Sequence, residues 1–280
     1  MTGAAHISCI KYRNLKNISH YHSDYELVYV NEGNATVSIN ENIFNLKANQ
    51  CVFICSKDIH FIVSDEDTVI TVLKIGYKYF ENIFGVKSLQ SPLISDGAGI
   101  AGALEAIYSE LTVLSENNEV MADCIAAQLL ITLFRNEKTA DGNGQILYKS
   151  RPQMLYDEIC RKISKEYNTV TFSEVARSLH FSEPYFSKLF HNIFGMTFTQ
   201  YLNTVKIAVA IERIKENKMS ITEISASCGF NTIRNFNRVF KKFTGYTPNS
   251  LPSNYVFMYS LQNGYALDPT LNCTVILGGK

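Results

Sequence analysis

Within the first 60 residues of the 280-residue chain, His20, His22, Glu26 and His60 are spaced as side chains that could together ligate an ion or move a proton. His20, His22 and Glu26 stand in "SHYHSDYE" in the order HxHxxxE, six residues separate Glu26 from Gly33, and His60 follows in "CSKDIHFI". Alternate positions of a strand share a face, so this spacing predicts His20 and His22 pointing together into a barrel. Three imidazoles and a carboxylate suit Zn, Ni, Mn or Fe, which makes His20, His22, Glu26 and His60 a candidate metal-ligand set. The same groups can instead wall a ligand pocket without metal. Tyr25 and Tyr29, on or beside the same strand, would then add the aromatic surface that suits a sugar or another small polar molecule. A third reading makes the histidines ordinary hydrogen-bonded core residues. No cofactor is fixed by these residues; a divalent metal in the barrel is one of three occupancies.

The elements that would position them alternate in the short β-rich runs "ELVYV", "ATVSI", "CVFI", "HFIV" and "VITVLKI", separated by turn-like "NEGN", "NEN" and "SDED". That spacing predicts an antiparallel barrel or sandwich. Over 101–135 the period changes to that of helices. Leu104, Ile107, Tyr108, Leu111 and Leu114 form one stripe, and Ala122, Ile125, Leu129 and Leu133 another, with the turn "SENNEV" between. The stripes can pack on the barrel, and part of the second can equally serve a homodimer interface. "NEKTADGNGQ" (136–145) holds no apolar residue larger than alanine and is the linker candidate.

The length suits two domains, each with its own core. Residues 1–150 hold 11 Lys and Arg against 17 Asp and Glu, a net of −6, whereas residues 151–255 hold 14 against 8, a net of +6. The split points to a polyanion partner for the second half. Seven scattered cysteines, odd in number and without a CxxC pair, predict reduced thiols and a cytoplasmic protein. No apolar run reaches the roughly 18 residues of a membrane span, and the N-terminus lacks a signal-peptide layout. No membrane partner is expected.

The second half is written twice. Phe172, Glu174, Val175 and Phe181 match Ile221, Glu223, Ile224 and Phe230, each 49 residues on; Phe186, Phe190 and Gly195 match Phe236, Phe240 and Gly245, each 50 residues on. Each copy predicts a short helix, a tight turn and a second helix, which is a helix-turn-helix. Ser182 and Asn231 stand where N-caps belong, and Gly195 and Gly245 where helices stop. Between the copies, 199–217 is an unbroken helical pattern about 28 Å long, enough to hold two recognition helices about one DNA turn apart. In the first copy Phe186, Leu189, Phe190 and Ile193 form the inward stripe, leaving Glu183, Ser187, Lys188 and His191 outward. In the second, Phe236, Val239, Phe240 and Phe243 lie inward, leaving Arg234, Asn237, Arg238 and Lys241 outward. Arginine pairs bidentately with guanine and asparagine with adenine, so the second helix holds the richer base-reading set. Ser187, Lys188 and His191 suit mixed phosphate and base contacts. The expected partner is double-stranded DNA.

With these residues in view the chain resembles the AraC/XylS transcriptional regulators. "GFNTIRNFNRVFKKFTGYTP" follows the signature of their second helix-turn-helix, with Gly229, Phe230, Phe236, Arg238, Phe240, Lys241, Gly245, Thr247 and Pro248 at its positions. Two departures stand out: Lys206 where the family usually has arginine, and "PNSLPS" where it usually continues Pro-x-x-Tyr-Arg. The first half is similar to the cupin-type sensor of such regulators, whose first motif His20, His22, Glu26 and Gly33 fit and whose second motif places His60. Asn49 stands where that second motif favours glycine.

The resemblance implies a two-domain protein: a cupin-like antiparallel β-barrel with a helix pair (1–135) for effector sensing and dimerisation, a linker (136–150), and an all-α double helix-turn-helix domain (151–255). A C-terminal extension (256–280) contains the strand-like "CTVIL". The implied function is sequence-specific transcriptional regulation by a non-enzyme that responds to a small-molecule effector and, as an activator, contacts RNA polymerase. The competing reading is a cupin-type metal-dependent enzyme with a helical interaction domain.

Overall fold

The computed structural model describes residues 6–85, 87–94, 98–113, 115–140, 151–252, 255 and 275–277. Leu114 of the first helical stripe, linker residues 141–150 and most of the C-terminal extension lie outside them. The chain divides into two compact units, the first carrying strands and three helices, the second all-helical.

The first unit opens with β1 (Ile7–Arg13), β2 (Tyr25–Glu32), β3 (Asn34–Ile39), β4 (Asn42–Lys47), β5 (Cys51–Ile54), β6 (His60–Ser64) and β7 (Val69–Ile75). One sheet runs β5–β2–β7–β1, and β3 is flanked by β4 and β6 in a second, with every pairing antiparallel. Gly33, at φ 80° between β2 and β3, sits where an added Cβ would fall 2.4 Å from Thr68 Oγ1, so this turn requires glycine.

Helix α1 (Tyr77–Phe84) follows, then the short β8 (Ser88–Leu89), α2 (Ala98–Thr112), α3 (Asn118–Asn136) and β9 (Thr139–Ala140), which pairs with β8. One core joins Tyr25, Leu27 and Tyr29 of β2, Phe53 of β5 and Leu73 of β7 to Phe80 of α1, Leu104 and Ile107 of α2, and Ala122, Leu129 and Leu133 of α3. Both helical stripes therefore pack on the larger sheet. This corrects the expectation for Tyr25 and Tyr29. Tyr25 stacks on Phe80 with ring centroids 3.9 Å apart, and both tyrosines face the helices, so neither lines the barrel interior beside Glu26.

The second unit comprises α4 (Arg151–Glu166), α5 (Phe172–Ser178), α6 (Glu183–Phe194), α7 (Phe198–Glu216), α8 (Ile221–Ser227) and α9 (Ile233–Thr244). Helices α5, α7 and α8 open on reciprocal caps, Thr171 with Glu174, Thr197 with Gln200 and Ser220 with Glu223. Gly195 and Gly245 close α6 and α9 in the left-handed conformation, at φ 69° and 78°. Phe186, Phe190, Phe194 and Tyr201 pack ring against ring through the first copy, while Ile207, Ala210 and Ile211 of α7 pack with Ile224, Phe236, Val239 and Phe240 in the second. A last strand, β10 (Val275–Leu277), adds to the free edge of β1, where the Tyr108 hydroxyl donates to the Leu277 carbonyl. No helix among the described residues is long and apolar enough to cross a membrane.

Candidate functional site

Two helices show one buried stripe and one bare polar face. On α9, Phe236, Val239, Phe240 and Phe243 are buried, and Arg234, Asn237, Arg238 and Lys241 are exposed. On α6, Phe186, Leu189, Phe190 and Ile193 are buried, and Glu183, Ser187, Lys188 and His191 are exposed. The spacing of the phenylalanines fixes these faces, because each buried position recurs three or four residues on. Four residues not selected from the sequence share the same faces: Tyr185 on α6, and Ile233, Asn235 and Lys242 on α9, all exposed. Asn235 accepts a hydrogen bond from Arg238 Nη2 at 2.9 Å, one helical turn away. Its signal in the sequence was that i, i+3 spacing.

The caps need one correction. Ser182 is the N-cap residue of α6, without a side-chain cap bond, but α9 is capped by Thr232, whose side chain accepts from the Asn235 amide at 3.2 Å. Asn231 lies one residue outside the helix, still exposed at its start. The turn before each second helix uses a positive φ, at His180 (59°) in the first copy and Gly229 (74°) in the second.

A second cluster centres on Glu26 of the strand unit, which holds His22, His60 and Lys74, whereas His20 falls with the helical unit. His20 and His22 precede β2 instead of lying on it, so the alternation argument for their common face does not apply. What aims them is local. His20 Nδ1 donates to the Ile18 carbonyl at 2.8 Å, His22 Nδ1 to that of Asp24 at 3.1 Å, and His60 Nδ1 to that of Asp58 at 2.8 Å. A carbonyl only accepts, so each Nδ1 carries a proton and Nε2 is left for other partners. Within the strand unit the rings of His22 and His60 meet edge to face, with centroids 5.2 Å apart.

Glu26, on the inner face of β2, gathers the rest. Its Oε1 lies 2.8 Å from His22 Nε2 and 3.2 Å from Lys74 Nζ, and its Oε2 lies 3.4 Å from His60 Nε2. Burial opposes ionisation of this carboxyl, but the two histidines beside it, His22 and His60, outweigh burial and hold Glu26 well below the usual carboxylate range. Lys74, in the β-rich run "VITVLKI", joins this cluster although its spacing in the sequence does not mark it.

Residues 10–134 match the family model of the AraC-like ligand binding domain, and residues 175–252 match that of a helix-turn-helix domain. The chain belongs to the AraC/XylS family of transcriptional regulators. It is 24% identical over 241 residues to HTH-type transcriptional activator RhaR of Enterobacter sp. (strain 638), covering 82% of this chain and 84% of that one. It is 26% identical over 243 residues to the RhaR of Escherichia coli O139:H28, covering 82% and 85%. A crystal structure of apo ToxT from Vibrio cholerae aligns with a TM-score of 0.36 and 16% identity, over 91% of this chain and 97% of that chain.

The departures from the family pattern have local replacements. Lys206 occupies the arginine position and reaches the Gly229 carbonyl at 2.8 Å. Asn49, in place of a glycine, adopts φ 67°, which asparagine tolerates, and accepts from the Tyr29 hydroxyl at 2.8 Å. In "PNSLPS", Ser250 Oγ accepts from the Thr247 amide at 3.0 Å and closes a cap there.

Proposed function

We propose that this AraC-family regulator is a one-component switch in which a small molecule held in the strand unit sets how a homodimer presents its recognition helices to double-stranded DNA. The observation that carries this reading is α9, where Arg234, Asn237, Arg238, Lys241 and Lys242 form one exposed basic face over a phenylalanine core. Arg234, Asn237 and Arg238 are assigned to base edges and Lys241 and Lys242 to phosphate, with Asn231 at the helix start. On α6, Ser187, Lys188 and His191 are assigned to the adjacent groove segment, flanked by Ser182 and Glu183.

That the relatives are transcriptional activators supports contact with RNA polymerase at the promoter. An effector needs only a few kcal/mol of differential affinity between two arrangements to change occupancy. With Tyr25 and Tyr29 turned to the helices, the groups left to engage a sugar or other polar effector are His22, His60, Glu26 and Lys74.

The test is selection from a pool of genomic fragments by the wild-type chain beside the Arg234→Ala, Arg238→Ala double variant. The reading expects enriched fragments with wild type and loss of enrichment in the variant. Equal enrichment by both would remove the assignment of α9. The metal-dependent enzyme reading would instead gain from near-stoichiometric metal that disappears in His22→Ala.

A further inference from the structure

The two histidines beside Glu26 are oriented as metal ligands commonly are, each with Nδ1 tied to a backbone carbonyl and Nε2 on the side of the carboxylate. The carboxylate does not fit the same purpose. Glu26 on β2 and Lys74 on β7 are directly opposed in the antiparallel ladder, so the register places both side chains on one face about 5 Å apart. Nitrogen already engages both carboxylate oxygens: Oε1 is shared by Lys74 and His22, and Oε2 faces His60.

We propose that Lys74 is the resident cation of this cluster, and that its ammonium supplies the charge a divalent ion would bring and keeps such an ion out.

Three observations converge on this. A metal on the Nε2 atoms of His22 and His60 must first break the 2.8 Å contact between His22 and Glu26. It must then stand near an ammonium whose side chain is only 13% exposed, and two cations in a site shielded from water repel strongly. Finally, a lysine at an inward strand position is costly unless it is paired, and Glu26, 5% exposed, pairs it. The cluster also does mechanical work, because Glu26 and Lys74 belong to the larger sheet and His60 to the smaller. The Glu26–Lys74 ion pair, with His60 3.4 Å from Glu26 Oε2, thus ties the sheets where a metal could have done so. None of this depends on which DNA bases are read or which effector binds.

The test uses the full-length chain dialysed against Co²⁺, whose visible bands report coordination, and against Zn²⁺ followed by elemental analysis. Wild type is expected to retain far less than one ion per chain, and Lys74→Met to retain about one. Adding His60→Ala to the variant should abolish that uptake. Lys74→Gln should behave as Lys74→Met. A variant that folds only when Zn²⁺ is present supports the exchange of one cation for the other. Uptake of about one ion by wild type, lost in His60→Ala, overturns the proposal. So does either a folded Lys74→Met and Lys74→Gln pair with no uptake, or a pair that stays unfolded with and without Zn²⁺.

Discussion

The ammonium of Lys206 on α7 donates to the carbonyl of Gly229 at 2.8 Å and lies 5.4 Å from the ring centroid of Phe230. One side chain thus ties the helix that links the two copies to the turn that sets the angle of α9. Burial lowers the Lys206 pKa, so the bond forms against a desolvation cost. Lys206→Met leaves the carbonyl without this donor and should cost about 1–3 kcal/mol of stability, read from urea unfolding by circular dichroism. Lys206→Arg, the residue the family usually places here, should restore most of it.

At that same turn Gly229 has φ 74°, and an added Cβ would fall 2.1 Å from the Asn168 carbonyl oxygen. Gly229→Ala should therefore destabilise by about 3 kcal/mol, from left-handed strain plus overpacking. His180, the matching residue of the first copy, already carries a side chain at φ 59°. His180→Gly should change stability by less than about 1 kcal/mol. Paired unfolding curves check the contrast, and equal effects at both turns would contradict the special need for glycine at 229.

The start of α9 distinguishes two adjacent residues. Thr232→Ala removes the bond to the Asn235 amide and should cost about 1 kcal/mol, whereas Asn231→Ala should cost no more than about 0.5 kcal/mol. Thermal melts rank the two, while DNA affinity separates any groove contact made by Asn231 from a stability effect.

Acid should loosen the strand unit through Glu26. Folding lowers the pKa of this carboxyl, so the folded state binds fewer protons than the unfolded chain in acid. Its contribution is complete above the unfolded-state value of about 4.3 and is lost as pH falls through the lower folded value. Between about pH 5 and pH 3, wild-type Tm should fall more steeply than that of Glu26→Gln, which starts lower at neutral pH. Parallel slopes would remove Glu26 from the acid response.

The helix-turn-helix pair was legible because its phenylalanines recur at helical spacing in both copies, which fixes the buried face of α6 and α9 without reference to anything else. Strand faces were less legible. β2 is buried along six consecutive residues, so Tyr25 and Glu26 give no polar–apolar alternation to show which side each takes, and aromatic type alone put Tyr25 and Tyr29 on the wrong one. The histidine cluster was found by residue type, but its aim comes from carbonyls two residues away in sequence, and Lys74 enters only through the β2–β7 register. Neither is visible in a pattern of spacings. The "CTVIL" run was recognisable as a strand, yet only pairing shows that β10 takes the edge of β1.

The most direct test of the account compares affinities by fluorescence anisotropy at fixed salt, on a fragment selected by the wild-type chain and on a scrambled duplex of equal length. Wild type should prefer the selected site by about 10³-fold or more. The Arg234→Ala, Arg238→Ala double variant should lose about 1–3 kcal/mol per arginine on the selected site, with much less change on the scrambled one. A double variant that keeps the full preference would contradict base reading by α9, and with it the central claim.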